Sequence, residues 1–255
     1  MDKVALITGG SRGIGFGIAK HLAMAGYHLA INGVREESDA AENLNQLKTM
    51  GVEAIYCRGN IGLKEERQQL FDQVIAAFGQ VNVLVNNAGI APRKRVDFLE
   101  VEEDDFDHLM DINQKGTFFM SQLVTKWMIK NKALRPEASG HIINITSVSS
   151  EAASVLRSEY CMSKASLTML NKILAIKMAE FGIPVHEIQP GFVDTDMITT
   201  VRDKYIKLAD ELVLEKRLAS PDDIGKIVAS LVTGGLPYCT GQVIRPDGGL
   251  GIWRF

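Results

Sequence analysis

The chain of 255 residues holds only three cysteines, Cys57, Cys161 and Cys239, far apart and with no Cys-x-x-Cys spacing. That argues against a disulfide framework or a zinc site and for a reducing compartment. Charge of one sign is also scarce in excess: 28 Lys and Arg stand against 31 Asp and Glu, a formal net charge of −3. Nothing in that balance favours nucleic acid or an anionic membrane as partner. No apolar run approaches the roughly 20 residues of a membrane helix. The start, Met1-Asp2-Lys3-Val4, lacks the charged and then apolar stretches of a signal peptide. The five histidines, at 21, 28, 108, 141 and 186, show no ligand spacing and no HExxH, so no metal is expected. What remains is a cytoplasmic, soluble globular protein. With 46% hydrophobic and 23% charged residues it can bury a substantial core.

Short β-branched runs alternate with longer amphipathic stretches. Strands are expected at 4–8, 28–32, 53–57, 81–85, 141–145, 185–188 and 242–245. Between them, Ile14, Ile18, Leu22 and Ala25 recur at helical spacing, as do Leu70, Val74 and Ala77, which Gly79 ends. Helical stretches follow at about 103–112, 116–131 and 158–181. Ser220-Pro221-Asp222-Asp223 opens another, with serine to cap it, proline for its first turn and two acids at its positive end. Strands separated by helices imply right-handed βαβ units, hence an α/β fold with a doubly wound, parallel, seven-stranded sheet. With no repeat and no low-complexity linker, one domain over 1–255 is expected. The least regular stretch, about 194–216, reads as a loop over the carboxyl edge of the sheet and as a candidate substrate lid.

Thr8-Gly9-Gly10-Ser11-Arg12-Gly13-Ile14-Gly15 lies between the first strand and the first helix. Glycines there allow a tight turn and let backbone amides and a helix N-terminus approach a pyrophosphate. The spacing TGxxxGxG differs by one insertion from GxGxxG, and TGGSRGIG resembles the cofactor loop of the short-chain dehydrogenase/reductase family. That family is Rossmann-type and binds NAD(P). NAD-selective sites place an acid at the end of the second strand; here the residues are Asn32-Gly33-Val34-Arg35. Arg12 and Arg35 supply guanidiniums suited to a 2′-phosphate, a pattern that resembles NADPH-using members. Glu36 and Glu37 are the contrary signal. NADPH is expected over NADH.

Tyr160 and Lys164 stand at i and i+4 in an expected helix, on one face. A nearby ammonium stabilises phenolate, so Lys164 is expected to lower the Tyr160 pKa. Ser147 ends the fifth strand and Asn113 falls in a helical stretch. Asn86-Asn87-Ala88-Gly89 and Pro190-Gly191-Phe192-Val193-Asp194-Thr195 follow the fourth and sixth strands. The resemblance implies roles for these positions. Tyr160 is the acid–base, Lys164 its ribose-holding partner, Ser147 the substrate orienter and Asn113 a water-linked relay. Asn87, Ala88 and Gly89 line the ribose and nicotinamide side, and Asn60-Ile61 meet adenine. Val193 and Thr195, after Pro190 and Gly191, bind the carboxamide.

Within the family, SRGIG at 11–15, PGFVDTDM at 190–197 and TGQVIRPDGG at 240–249 resemble 3-oxoacyl-[acyl-carrier-protein] reductases. That implies an acyl-thioester substrate, acyl carrier protein as partner, fatty-acid elongation and a homotetramer. The segment between Ser147 and Tyr160 departs from that subfamily: Glu151, Arg157 and Glu159 suit a polar, hydroxylated substrate. The alternative is therefore a sugar or polyol dehydrogenase on the same scaffold. A non-catalytic NADPH-binding regulatory protein is the remote one, since mere binding has no need of Tyr160, Lys164 and Ser147 together.

Overall fold

The structure is a computed structural model that describes residues 3–254; Met1, Asp2 and Phe255, the ends of the expected domain and start of the expected leaderless terminus, lie outside the described residues. Seven strands form one parallel sheet in the order β3-β2-β1-β4-β5-β6-β7. They are β1 Lys3–Ile7, β2 Tyr27–Gly33, β3 Ala54–Arg58, β4 Val83–Asn86, β5 His141–Ile145, β6 Val185–Ile188 and β7 Val243–Ile244. The helices are α1 Gly13–Met24, α2 Glu37–Lys48, α3 Lys64–Phe78, α4 Glu103–Met110, α5 Thr117–Leu134, α6 Ser158–Ala179, α7 Arg202–Leu212 and α8 Pro221–Val232. The chain reverses its winding between β1 and β4, which puts a crevice at their carboxyl ends. No helix among the described residues is long and apolar enough to cross a membrane.

Strand residues alternate between two core layers because successive side chains leave opposite faces of the sheet. Ala5 and Ile7 face Ile18 and Leu22 of α1, Leu44 and Leu47 of α2, and Ile224 and Val228 of α8. Leu6 and Leu84 face Leu70 and Val74 of α3, Met120 and Val124 of α5, and Leu167 and Leu174 of α6. Both faces are thus covered, as near-continuous apolar strands require.

Two details position the crevice. Ser220 caps α8 as expected, its Oγ accepting from the Asp223 amide at 3.2 Å, and the Asp223 carboxylate closes a capping box by accepting from the Ser220 amide at 2.8 Å. The same helix meets α1 glycine to glycine. A β-carbon on Gly17 would lie 2.4 Å from the Pro221 carbonyl oxygen, and one on Gly225 2.4 Å from the Gly17 carbonyl oxygen. Gly17→Ala must push the helices apart and should destabilise the fold by about 1–3 kcal/mol. An unchanged urea midpoint would contradict this crossing.

The stretch 194–216 departs from the expected loop. Asp196–Val201 is a 3-10 turn and α7 occupies most of the remainder. Tyr205 and Ala209, one turn apart, are buried beneath a charged outer face, and that inward pair supports the helix.

Candidate active site

The glycine loop joins β1 to α1. Arg12 is the N-cap of α1 but makes no side-chain cap bond, and no acid lies in the first turn. The first amides of α1 therefore keep their donors, at the positive end of the helix dipole, for an anion. Neighbouring side chains hold the loop in shape. Asn87 Nδ2 donates to the carbonyls of Thr8 and Gly9 at 2.9 and 3.0 Å. Thr8 Oγ1 accepts from the amides of Asn87 and Ala88 at 3.0 and 3.1 Å. A β-carbon at Gly15 would lie 2.2 Å from the Gly9 carbonyl oxygen, so only glycine permits this turn. Amides, shape and dipole fit a dinucleotide pyrophosphate.

Beyond the loop the expected residues divide. Asn32 is buried; its amide donates to the carbonyls of Cys57 and Gly59 at 3.0 and 2.8 Å, and its Oδ1 accepts from Gly9 at 3.4 Å. It buttresses the loop rather than facing the crevice. Ile61 is likewise buried in the core, and Asn60 Oδ1 accepts from the Gly62 amide at 2.9 Å. Arg12 and Arg35 are exposed, with Arg12 3.4 Å from Asp196 across the mouth. Sequence reasoning missed Arg58, which pairs in register with Gly33 at the end of β3 and forms an ion pair with Glu36 at 2.7 Å. The signal available was a cation at a strand end beside the expected phosphate position.

The expected catalytic residues come together. Ser147 leaves β5 as the cap of a short 3-10 turn, its Oγ accepting from Ser149 at 3.1 Å. Its hydroxyl is hydrogen-bonded to the Tyr160 phenol. Lys164, one turn on along α6, sits with its Nζ 5.8 Å from the Tyr160 ring centroid and donates to the Ile145 carbonyl at 3.2 Å. Asn113 lies in a π-helical turn, Asp111–Gly116, between α4 and α5, an irregularity common at functional sites. Its amide exchanges two bonds with the Ile90 backbone, at 2.8 and 3.1 Å, and reaches Ser163 Oγ at 3.2 Å. Gly89 lies between the two: a β-carbon there would be 3.3 Å from Asn113 Oδ1 and 3.5 Å from Lys164 Nζ.

The electrostatics differ from the sequence expectation. Burial pushes the Tyr160 phenol above its usual range, and the hydrogen bond from Ser147 and the charge of Arg157 only partly oppose it. Burial also pulls Lys164 down to about 8, with the Glu187 carboxylate opposing. Among the chain's own groups desolvation dominates the phenol, and the expected lowering of Tyr160 by Lys164 is not found.

The other expected residues are spread around the mouth. Thr195 faces the glycine loop, 3.4 Å from where a Gly13 β-carbon would be. Val193 is buried in a bridge to Ala219, Pro190 is buried with its carbonyl accepting from Val148 at 3.1 Å, and Gly191 packs on Asp247. Of the three substrate candidates only Arg157 faces the tyrosine, its guanidinium 5.7 Å from the Tyr160 ring centroid. Glu159 is buried, and Glu151 is paired with Arg245.

Residues 3–206 match the sequence profile of the short chain dehydrogenases. A 3-oxoacyl-[acyl-carrier-protein] reductase of Staphylococcus epidermidis is 35% identical over 98% of this chain and 99% of its own length. A diacetyl reductase of the same species, forming (S)-acetoin, is 30% identical over 98% of this chain and 99% of its own. The crystal structure of a 3-oxoacyl-[acyl-carrier protein] reductase from Brucella melitensis in complex with NAD superposes with a TM-score of 0.93 at 37% identity, covering 100% of this chain and 99% of that one. A gluconate 5-dehydrogenase from Burkholderia cenocepacia, in complex with NADP and tartrate, gives a TM-score of 0.88 at 30% identity over 98% and 96% of the two chains. The chain therefore belongs to the short-chain dehydrogenase family and is an NAD(P)-dependent oxidoreductase that interconverts a carbonyl and an alcohol.

Proposed function

We propose that this protein reduces a carbonyl to an alcohol with NADPH, and that the substrate is a 3-oxoacyl thioester. The observation that carries the reading is the convergence of Tyr160, Ser147 and Lys164 beside an uncapped glycine-loop helix at the switch point of the sheet. The bound cofactor supplies a hydride to the carbonyl carbon. Tyr160 donates its proton to the carbonyl oxygen, and Ser147 shares the negative charge that develops there. The Lys164 ammonium holds the ribose hydroxyls, Asn113 shapes the wall behind it, and the loop amides take the pyrophosphate. Val193 and Thr195 hold the carboxamide side, and the segment 194–216 acts as the lid.

For NADPH, the supporting feature is the state of Glu36. The carboxylate that would repel a 2′-phosphate is engaged by Arg58, while Arg35 has no acidic partner among the described residues. Arg35→Ala should weaken NADPH binding by at least about tenfold and NADH by less than about twofold. Equal losses in a fluorescence titration would remove Arg35 from phosphate recognition. A homotetramer is supported by the apolar outer stripe of α6, where Met162, Met169, Ile173 and Ile176 are exposed. Acyl carrier protein as partner is supported by the names of the reductase relatives, and a cytoplasmic setting is part of the same proposal.

One observation favours a second reading. Arg157, over the tyrosine and without an acidic partner among the described residues, suits a substrate bearing a carboxylate or several hydroxyls, which makes a sugar or polyol dehydrogenase the alternative. NADPH and NADH oxidation with acetoacetyl thioester and a panel of keto-sugars separates the two. Fast NADPH turnover of the thioester supports the first reading and sugar preference the second. Tight NADPH binding without turnover would leave a regulatory binding protein.

A further inference from the structure

A second polar cluster is built into the interior beside these residues. Glu187 sits on β6 with no exposed surface, on the strand face that meets α6. Its Oε1 accepts three bonds: from Thr146 Oγ1 at 2.7 Å, Thr168 Oγ1 at 2.7 Å and Gln189 Nε2 at 2.9 Å. Its Oε2 has no partner among the described residues. Thr146 immediately precedes Ser147, Thr168 lies one turn beyond Lys164 on α6, and Gln189 precedes Pro190. Each tether of the carboxylate is thus next in chain, or in helix turn, to a residue of the site.

A buried carboxylate with an oxygen left unpaired is costly, and apolar residues of the same volume would fill the space more stably. Such a charge persists where an opposite charge answers it. Lys164, 4% exposed, is the cation at hand, and among the described residues Glu187 is the charged group that opposes the desolvation of its ammonium. The remaining ionisable groups nearby are engaged elsewhere. Tyr160 bonds Ser147 while Arg157 and Tyr205 act on Tyr160, Arg245 pairs with Glu151, and His186 stacks on His141 across the sheet.

We propose that Glu187 is a positioning residue of the reaction: its carboxylate ties β5, β6 and α6 together behind Ser147 and Lys164 and is the counter-charge that keeps the Lys164 side chain an ammonium. The inference rests on the reading that Lys164 holds the cofactor ribose. Without the carboxylate, the neutral amine is favoured at lower pH, and the hold on the ribose is lost sooner as pH rises.

The test is NADPH affinity, followed by fluorescence without substrate from pH 6 to 9.5, in the wild-type chain and in Glu187→Gln. The alkaline loss of affinity should begin about one pH unit lower in the variant, with affinity at pH 6 within about twofold of wild type. An unmoved alkaline limb overturns the proposal. Glu187→Asp keeps the charge and should hold the limb near its wild-type position; displacement as large as in the glutamine variant also overturns it. Should Glu187→Gln not fold, Thr168→Val, which frees the carboxylate from α6, should move the limb the same way by a smaller step, and no movement is again a refutation. A wild-type chain that binds no nicotinamide cofactor overturns the ribose reading as well, whereas binding with unmoved limbs overturns this inference alone.

Discussion

Tyr160→Phe should lower turnover by about 10²–10⁴-fold while NADPH affinity stays within about twofold. The phenol is the group hydrogen-bonded to Ser147 at the mouth of the crevice, and phenylalanine keeps the ring but removes the transferable proton. Because burial holds the phenol above its ordinary range, Tyr160 keeps its proton through neutral pH. Reduction, which consumes that proton, should therefore persist across neutral pH and decline only in the alkaline range. Alcohol oxidation needs the phenolate and should rise with pH instead. Steady-state rates in both directions, with a cofactor titration beside them, check the assignment. Retained turnover in the variant would end it.

Lys164→Ala should have the second largest effect, because it removes two functions together. Turnover should fall by about 10²-fold or more, and NADPH affinity by at least about tenfold, the worth of a charge-assisted hydrogen bond. The wild-type chain should show a milder version of the same loss. Burial holds the lysine at about 8 against an ordinary 10.5, so its ammonium predominates at neutral and acid pH and is lost as pH rises through that value. Affinity in the alanine variant should lack that pH dependence. Normal affinity in the variant would exclude Lys164 from the ribose.

The strands, the glycine loop and the Tyr160–Lys164 pair were legible because each is a local pattern: a period of two, a run of glycines, a spacing of four. What stayed hidden depends on partners distant in the chain. Glu187 read as one polar residue in a short strand, since Thr146 and Thr168 lie 41 and 19 positions away. Arg58 gained meaning only through its register with Gly33. Asn32, placed correctly at the end of β2, turned inward, where its amide donates to the carbonyls of Cys57 and Gly59. Glu151, Arg157 and Glu159 looked alike in sequence, but 3-10 turns at Val148–Ser150 and Val155–Arg157 send them in three directions. Helix α7 was missed because Val201 gives it no side-chain cap and its inward face is narrow.

The glycine contact between α1 and α8 has a bearing on biosynthesis. The glycine loop is translated well before the surface against which α1 rests, which lies some 200 residues further on. Such long-range closure makes this part of the fold slow to mature. A nascent chain halted before Pro221 would carry every glycine of the loop with its first helix exposed on one side. Acquisition of nicotinamide binding would then mark the moment at which the segment beginning with α8 docks, so that the cofactor stabilises only molecules in which that contact has closed.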